Sequence, residues 1–93
     1  MIKIRVKFFG PFRELFGGRE MAVDFPEGTS LRQLLERLCD SPDRERETYS
    51  HADGLAPGVI IMIDGKPVPT SSGLETPLRE GNVVAVFPFL GGG

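Results

Sequence analysis

The chain has 93 residues, of which 40% are hydrophobic and 26% charged, with a formal net charge of -2. These values fit one globular domain with little core to spare, and a field too weak to argue for nucleic acid or a membrane surface. The longest apolar run, Val59 to Ile63, is far too short to span a bilayer, and no basic region leads into an apolar one as in a signal peptide. The single cysteine, Cys39, forms no internal disulfide and suits a reducing cytosol; it also excludes a four-cysteine zinc or iron–sulfur site within one chain. A cytoplasmic protein is expected.

Residues 2–9 alternate, with Ile2, Ile4, Val6 and Phe8 on one face and Lys3, Arg5 and Lys7 on the other. That period predicts a half-buried strand with a solvated basic face. Gly10-Pro11 breaks it, and Phe12, Leu15 and Phe16 then have the spacing of one face of a short helix, which Gly17-Gly18 ends. Residues 19–25 alternate again through Met21, Val23 and Phe25, which predicts a second strand antiparallel to the first. After the turn Pro26-Glu27-Gly28, Ser30 and Gln33 form a capping box, and Leu31, Leu34, Leu35 and Leu38 make the apolar stripe of a helix over 31–39.

Cys39 at the end of that stripe reads as a small buried hydrophobe. A Cys39–His51 nucleophile–base pair is weighed and set aside, and His51 with Asp53 gives too few ligands for a metal site. Residues 40–57 are the most polar stretch, and Asp43 to Glu47 mixes signs as a solvated extra turn or a loop would.

Val59 to Ile63 is apolar at every position. Such a strand is buried on both faces, or turns its outer face to a partner. Asp64-Gly65 signals a tight turn, and two prolines confine Lys66-Pro67-Val68-Pro69 to a short edge piece. Thr70 to Gly73 reads as loop, Leu74 and Leu78 as plugs for the base of the core, and Val83 to Phe87 as the last strand. Pro88, lacking an N–H, is expected to stop the sheet ladder there. Domain boundaries of 1–87 for the folded part and 88–93 for a flexible glycine-rich tail follow. The tail, Pro88-Phe89-Leu90-Gly91-Gly92-Gly93, ends on backbone thin enough for a narrow channel.

One helix of this length covers one face of a sheet, so the order of elements predicts a two-layer α+β domain. A ubiquitin-like β-grasp satisfies it: a mixed sheet of about five strands, with the first and last parallel in the middle.

Several stretches together resemble the MoaD/ThiS family of sulfur carriers over nearly the whole length. They are residues 8–17 around Arg13-Glu14-Leu15, Gly28 to Leu35, Pro57 to Val68 with Ile63-Asp64-Gly65-Lys66, and Leu74-Glu75-Thr76-Pro77-Leu78. Gly81-Asn82-Val83-Val84, Phe87-Pro88 and the terminal Gly92-Gly93 complete the set. The chain departs from the family pattern at Phe89, Leu90 and Gly91. The long segment 40–57 is similar to the branch that includes ubiquitin-like protein modifiers.

The resemblance implies a carrier without an independent active site, whose reactive group is the C-terminal carboxyl of Gly93. It implies partner contacts through Phe87, Phe89, Leu90, Gly91 and Gly92, with no bound cofactor or metal. A MoeB/ThiF-like, ubiquitin-activating-like adenylyltransferase would use ATP and Mg²⁺, and a sulfur donor enzyme would convert the adenylate to a thiocarboxylate. A MoaE-like synthase subunit or its equivalent would accept the sulfur. Six residues beyond Phe87 span up to about 20 Å. The expected pathway is molybdopterin or tungstopterin synthesis. Three alternatives stand beside it: a carrier for thiazole or a sulfur amino acid, a ubiquitin-like modifier joined to lysines through Gly93, and a β-grasp interaction module without such chemistry.

Overall fold

The structure, a computed structural model, describes residues 1–69 and 72–89. Alternation at the start of the chain gives strand β1 (Ile2–Phe8), with Ile2, Ile4, Val6 and Phe8 buried and Lys3 and Arg5 exposed. Strand β2 (Glu20–Phe25) returns antiparallel to it, Phe25 opposite Ile2 and Glu20 opposite Lys7. Between them the short helix α1 (Phe12–Leu15) folds Phe12 and Phe16 inward, and the Phe16 ring stacks on Phe8 with centroids 4.5 Å apart.

Helix α2 (Leu31–Leu38) begins at the expected capping box. The Ser30 hydroxyl accepts from the Gln33 N–H at 3.2 Å, and the Gln33 side chain accepts from the Ser30 N–H at 2.9 Å. Two of the orphan donors at the helix start are thereby satisfied. Leu31, Leu34, Leu35 and Leu38 are buried against the sheet, and each such side chain removed from water contributes about 2 kcal/mol. The helix stops at the end of its stripe, one residue short of the expected 31–39, because Cys39 takes the C-cap position with a non-helical ψ of 73.

In the polar segment that follows, Asp43 to Glu47 form the solvated extra turn, one of the two expected readings. Ser41 caps helix α3 (Pro42–Glu47), and strands β3 (Tyr49–Ser50) and β4 (Gly54–Leu55) make a small separate hairpin. Arg44 ties this unit to the domain. Its guanidinium lies 4.9 Å from the Phe16 ring centroid and donates to the Leu15 carbonyl at 3.1 Å.

Strand β5 (Val59–Ile63), the two-residue β6 (Lys66–Pro67) and strand β7 (Val83–Pro88) complete the sheet in the order β2-β1-β7-β5-β6. β7 runs parallel to β1 and antiparallel to β5, so the last strand lies in the middle. This is the β-grasp arrangement. Leu74 and Leu78 are buried at its base, where Leu78 N–H donates to the Thr29 carbonyl and Leu31 N–H to that of Thr76.

β7 continues one residue beyond the expected end. Pro88 pairs with Val59, and the Phe89 N–H still donates to the Gly58 carbonyl at 2.6 Å. The reason is directional. Backbone groups alternate sides along a strand, and Phe89 points its N–H at β5, so residue 88 faces β1 instead. There β1 has already turned away, and the Phe9 carbonyl accepts from the Phe12 N–H. The missing donor of Pro88 therefore costs the ladder nothing.

Candidate functional site

The buried side chains of α1 and α2 share one core with Ile4, Val6, Val84 and Val86 on one side of the sheet, while the residues on its other side are exposed or half-buried. On that side, where β7 ends, the Phe87 ring stacks on Phe9, with centroids 4.2 Å apart and planes 10° from parallel. Offset or stacked aromatic pairs add about 1 kcal/mol to their buried area. Ile60 stands opposite Phe87 and Met62 opposite Ala85, all four half-buried. The apolar run of β5 is thus explained: Val59 and Ile61 are buried in the core, while Ile60 and Met62 supply the open face.

A positive group borders this patch. The Arg13 guanidinium sits 5.6 Å from the Phe9 ring centroid, and its Nε donates to the Phe8 carbonyl at 3.1 Å. Phe89 is 64% exposed, the largest aromatic surface offered to solvent among the described residues. Gly10 and Pro88 brace the exit of the chain, since a Cβ at Gly10 would lie 2.9 Å from the Pro88 Cγ.

Of the residues singled out in the sequence, Phe87 and Phe89 fall together at this exit. Leu90, Gly91, Gly92 and Gly93 lie outside the described residues. Phe9 and Arg13 carry no contact expectation, whereas Ile60 and Met62 lie on the outer face of the strand for which a partner-facing side is one of the two expectations. Their signal was present: Phe9 is an aromatic on the otherwise basic face of its strand, and Ile60 and Met62 occupy the face a single helix leaves open.

A second polar cluster joins α2 to the hairpin. The Tyr49 hydroxyl donates to Glu36 at 3.1 Å and accepts from Arg32 at 3.1 Å, and Arg32 also donates to Glu75 at 2.7 Å. His51 Nδ1 lies 2.7 Å from the same Glu36 carboxylate, so the histidine engages Glu36. Its hydrogen bond is the main reason the Glu36 carboxyl lies below its ordinary range. Burial pushes the Cys39 thiol up to about 11, which leaves it protonated and a poor nucleophile at neutral pH. Among the described residues no group of three or more His, Cys, Asp or Glu is placed to hold a metal ion. No helix of the described residues is long and apolar enough to cross a membrane.

The arrangement offers an apolar docking face at the end of a rigid central strand. Known proteins are similar to the chain in sequence and in fold. A molybdopterin synthase sulfur carrier subunit from Caenorhabditis elegans is 30% identical over 93 residues, covering 100% of both chains. A ubiquitin-related modifier 1 homolog from Chlamydomonas reinhardtii is 30% identical over 99 residues, again covering 100% of both. The solution structure of the Haloferax volcanii HVO 2177 protein superposes with a TM-score of 0.80 at 25% identity, over 99% of this chain and 87% of that one. The ThiS family pattern matches residues 6–93, and with nearly the full length accounted for, the chain belongs to the ThiS family.

Proposed function

We propose that the chain is a sulfur carrier whose C-terminal glycine, Gly93, is adenylated and converted to a thiocarboxylate, which donates sulfur in molybdopterin or tungstopterin cofactor synthesis. The observation that carries this reading is the placement of β7. A central strand, fixed on both sides, ends beside an uncovered apolar face with four residues of chain beyond Phe89. The C. elegans relative, named as the carrier subunit of a synthase, supports the pathway.

A carboxylate is a poor electrophile. On this reading a MoeB/ThiF-like adenylyltransferase uses ATP and Mg²⁺ to join the Gly93 carboxylate to AMP, releasing pyrophosphate. A persulfide on a sulfur donor enzyme displaces AMP, and a thiol then cleaves the S–S bond to leave the thiocarboxylate. The carrier presents that group to a MoaE-like synthase subunit. Its own residues dock and aim; they do not catalyse. The Phe9–Phe87 stack with Ile60 and Met62 supplies apolar area, Arg13 a charge at the rim, and Phe89 an anchor. Since Phe89 is still bonded to β5, residues 90–93 reach at most about 14 Å past it. The partner's active site must therefore lie that close to the docking face.

The test is intact mass after incubation of the full chain with activating enzyme, ATP, Mg²⁺ and a sulfur donor. The mass should rise by the difference between sulfur and oxygen, and deletion of Gly93 should abolish the change. An unchanged mass with competent enzymes would overturn the reading in favour of an interaction module. A second reading, a modifier conjugated to lysines through Gly93, is favoured by the equal likeness to the Chlamydomonas modifier homolog. Gly93 remnants in isopeptide linkage on lysines of cellular proteins would support it.

A further inference from the structure

The two margins of the sheet are built differently. At one, β6 is two residues long and contains Pro67, with Pro69 close behind, so it offers few donors to an added strand. At the other, β2 has six residues, no proline and an unbroken register with β1. The Arg19 carbonyl accepts from the Phe8 N–H, so Met21, Val23 and Phe25 also turn their backbone groups to β1. Glu20, Ala22 and Asp24 aim theirs outward. Among the described residues, only the Arg37 guanidinium, 3.5 Å from the Asp24 carbonyl, bonds to them.

We propose that the outer edge of β2 takes an extended segment of a partner protein in which apolar residues alternate with basic ones. The strand on its other side shows what complements it. β1 sets Ile2, Ile4 and Val6 against Phe25, Val23 and Met21, and sets Lys3 and Lys7 against Asp24 and Glu20. Arg5 adds an ion pair with Glu20 at 3.1 Å. Side chains of a strand serve both neighbours, so the free edge asks for the same pattern. Met21 and Val23 remain half-buried, with apolar surface left for a second neighbour, while Glu20 and Asp24 are exposed. A second copy is the wrong occupant. Antiparallel pairing of two β2 strands centred on Ala22 would set Glu20 of each copy against Asp24 of the other, and like charges directly opposite are destabilising. The surface involves neither the chain exit nor the Phe9–Phe87 face, so it stands or falls apart from the sulfur-carrier reading.

The test is amide NMR of the full chain titrated with a capped Val-Lys-Val-Arg-Val-Lys-Val peptide. The Glu20, Ala22 and Asp24 amides should shift and exchange more slowly. A peptide with Glu in place of Lys and Arg should bind at least about fivefold more weakly, as reversing two or three cross-strand charge pairs requires. Ala22→Pro removes an outward N–H and none bonded to β1, so it should abolish the shifts while the core methyl signals stay. Should that variant fail to fold, Asp24→Lys should weaken the basic peptide and favour the acidic one. The proposal is overturned if edge amides stay unmoved at millimolar peptide, if both peptides bind alike, if shifts centre on Phe9 and Phe87, or if β2 pairs with a second copy.

Discussion

Gly10→Ala tests whether the chain exit is braced as the geometry indicates. Gly10 has a φ of 59, in the left-handed region, and a Cβ there would lie 2.9 Å from the Pro88 Cγ. The backbone term costs an L-residue about 1–2 kcal/mol. Relieving the contact costs about 1 kcal/mol more, since a proline ring in a paired strand yields little. Against these, the unfolded chain loses freedom, which returns about 0.4–1 kcal/mol. The net expectation is a loss of about 1–2.6 kcal/mol, read as a lower urea midpoint at unchanged m-value. In a Pro88→Ala background the contact is gone and only the backbone term remains, so the same substitution should cost about 1 kcal/mol less. Hydrogen exchange supplies a local readout. If Pro88 moves aside, the Phe89 N–H loses the Gly58 carbonyl and its amide should exchange faster. An equal cost in both backgrounds would refute the bracing, and a loss below about 0.3 kcal/mol would refute the assigned backbone strain as well.

Two further outcomes are expected. Phe87→Ala removes the ring stacked on Phe9 but no core-facing side chain, so it should lower stability by about 1 kcal/mol. On the sulfur-carrier reading it should also raise the carrier KM of the activating enzyme at least about tenfold with kcat little changed, measured by pyrophosphate release. His51→Ala should raise the Glu36 pKa toward the ordinary carboxylate value, because the His51 hydrogen bond is the first cause of its lowering. A folded-state pKa below the unfolded one stabilises above the ordinary carboxylate value, and the contribution fades as pH falls through the lowered pKa. Wild type should therefore lose stability across that acid window more steeply than the variant, as followed by urea midpoints against pH and by the Glu36 carboxyl carbon shift.

The architecture was legible because its determinants are local and repeated. Alternation in residues 2–8 and 20–25, the Ser30–Gln33 box and the leucine stripe each name an element, and one main helix on one face of a five-stranded sheet leaves few topologies. In residues 40–57 charge allows a solvated turn or a loop at Asp43 to Glu47, and helix α3 is that turn, but composition hides the buried residues behind it. Tyr49 and Thr48 in that stretch are almost fully buried. Tyr49 could be: its ring fills the core side of the hairpin while its hydroxyl meets Arg32 and Glu36, a polar tip on an apolar body. No composition average reports such a residue, because its neighbours in space are 13 and 17 positions away. Pro88 shows the complementary failure of a local rule. Its missing N–H predicts a stop, but a missing donor ends a ladder only where a partner carbonyl awaits it. Which side of β7 residue 88 faces is set by pairing with β5, and whether a carbonyl is free on that side depends on where β1 turns. Both are tertiary facts, and together they decide that β7 holds its direction through Phe89. The site inherits the consequence: the apolar face and Phe89, bonded to Gly58, belong to one sheet, so a partner that docks on Phe9 and Phe87 also fixes where Phe89 stands.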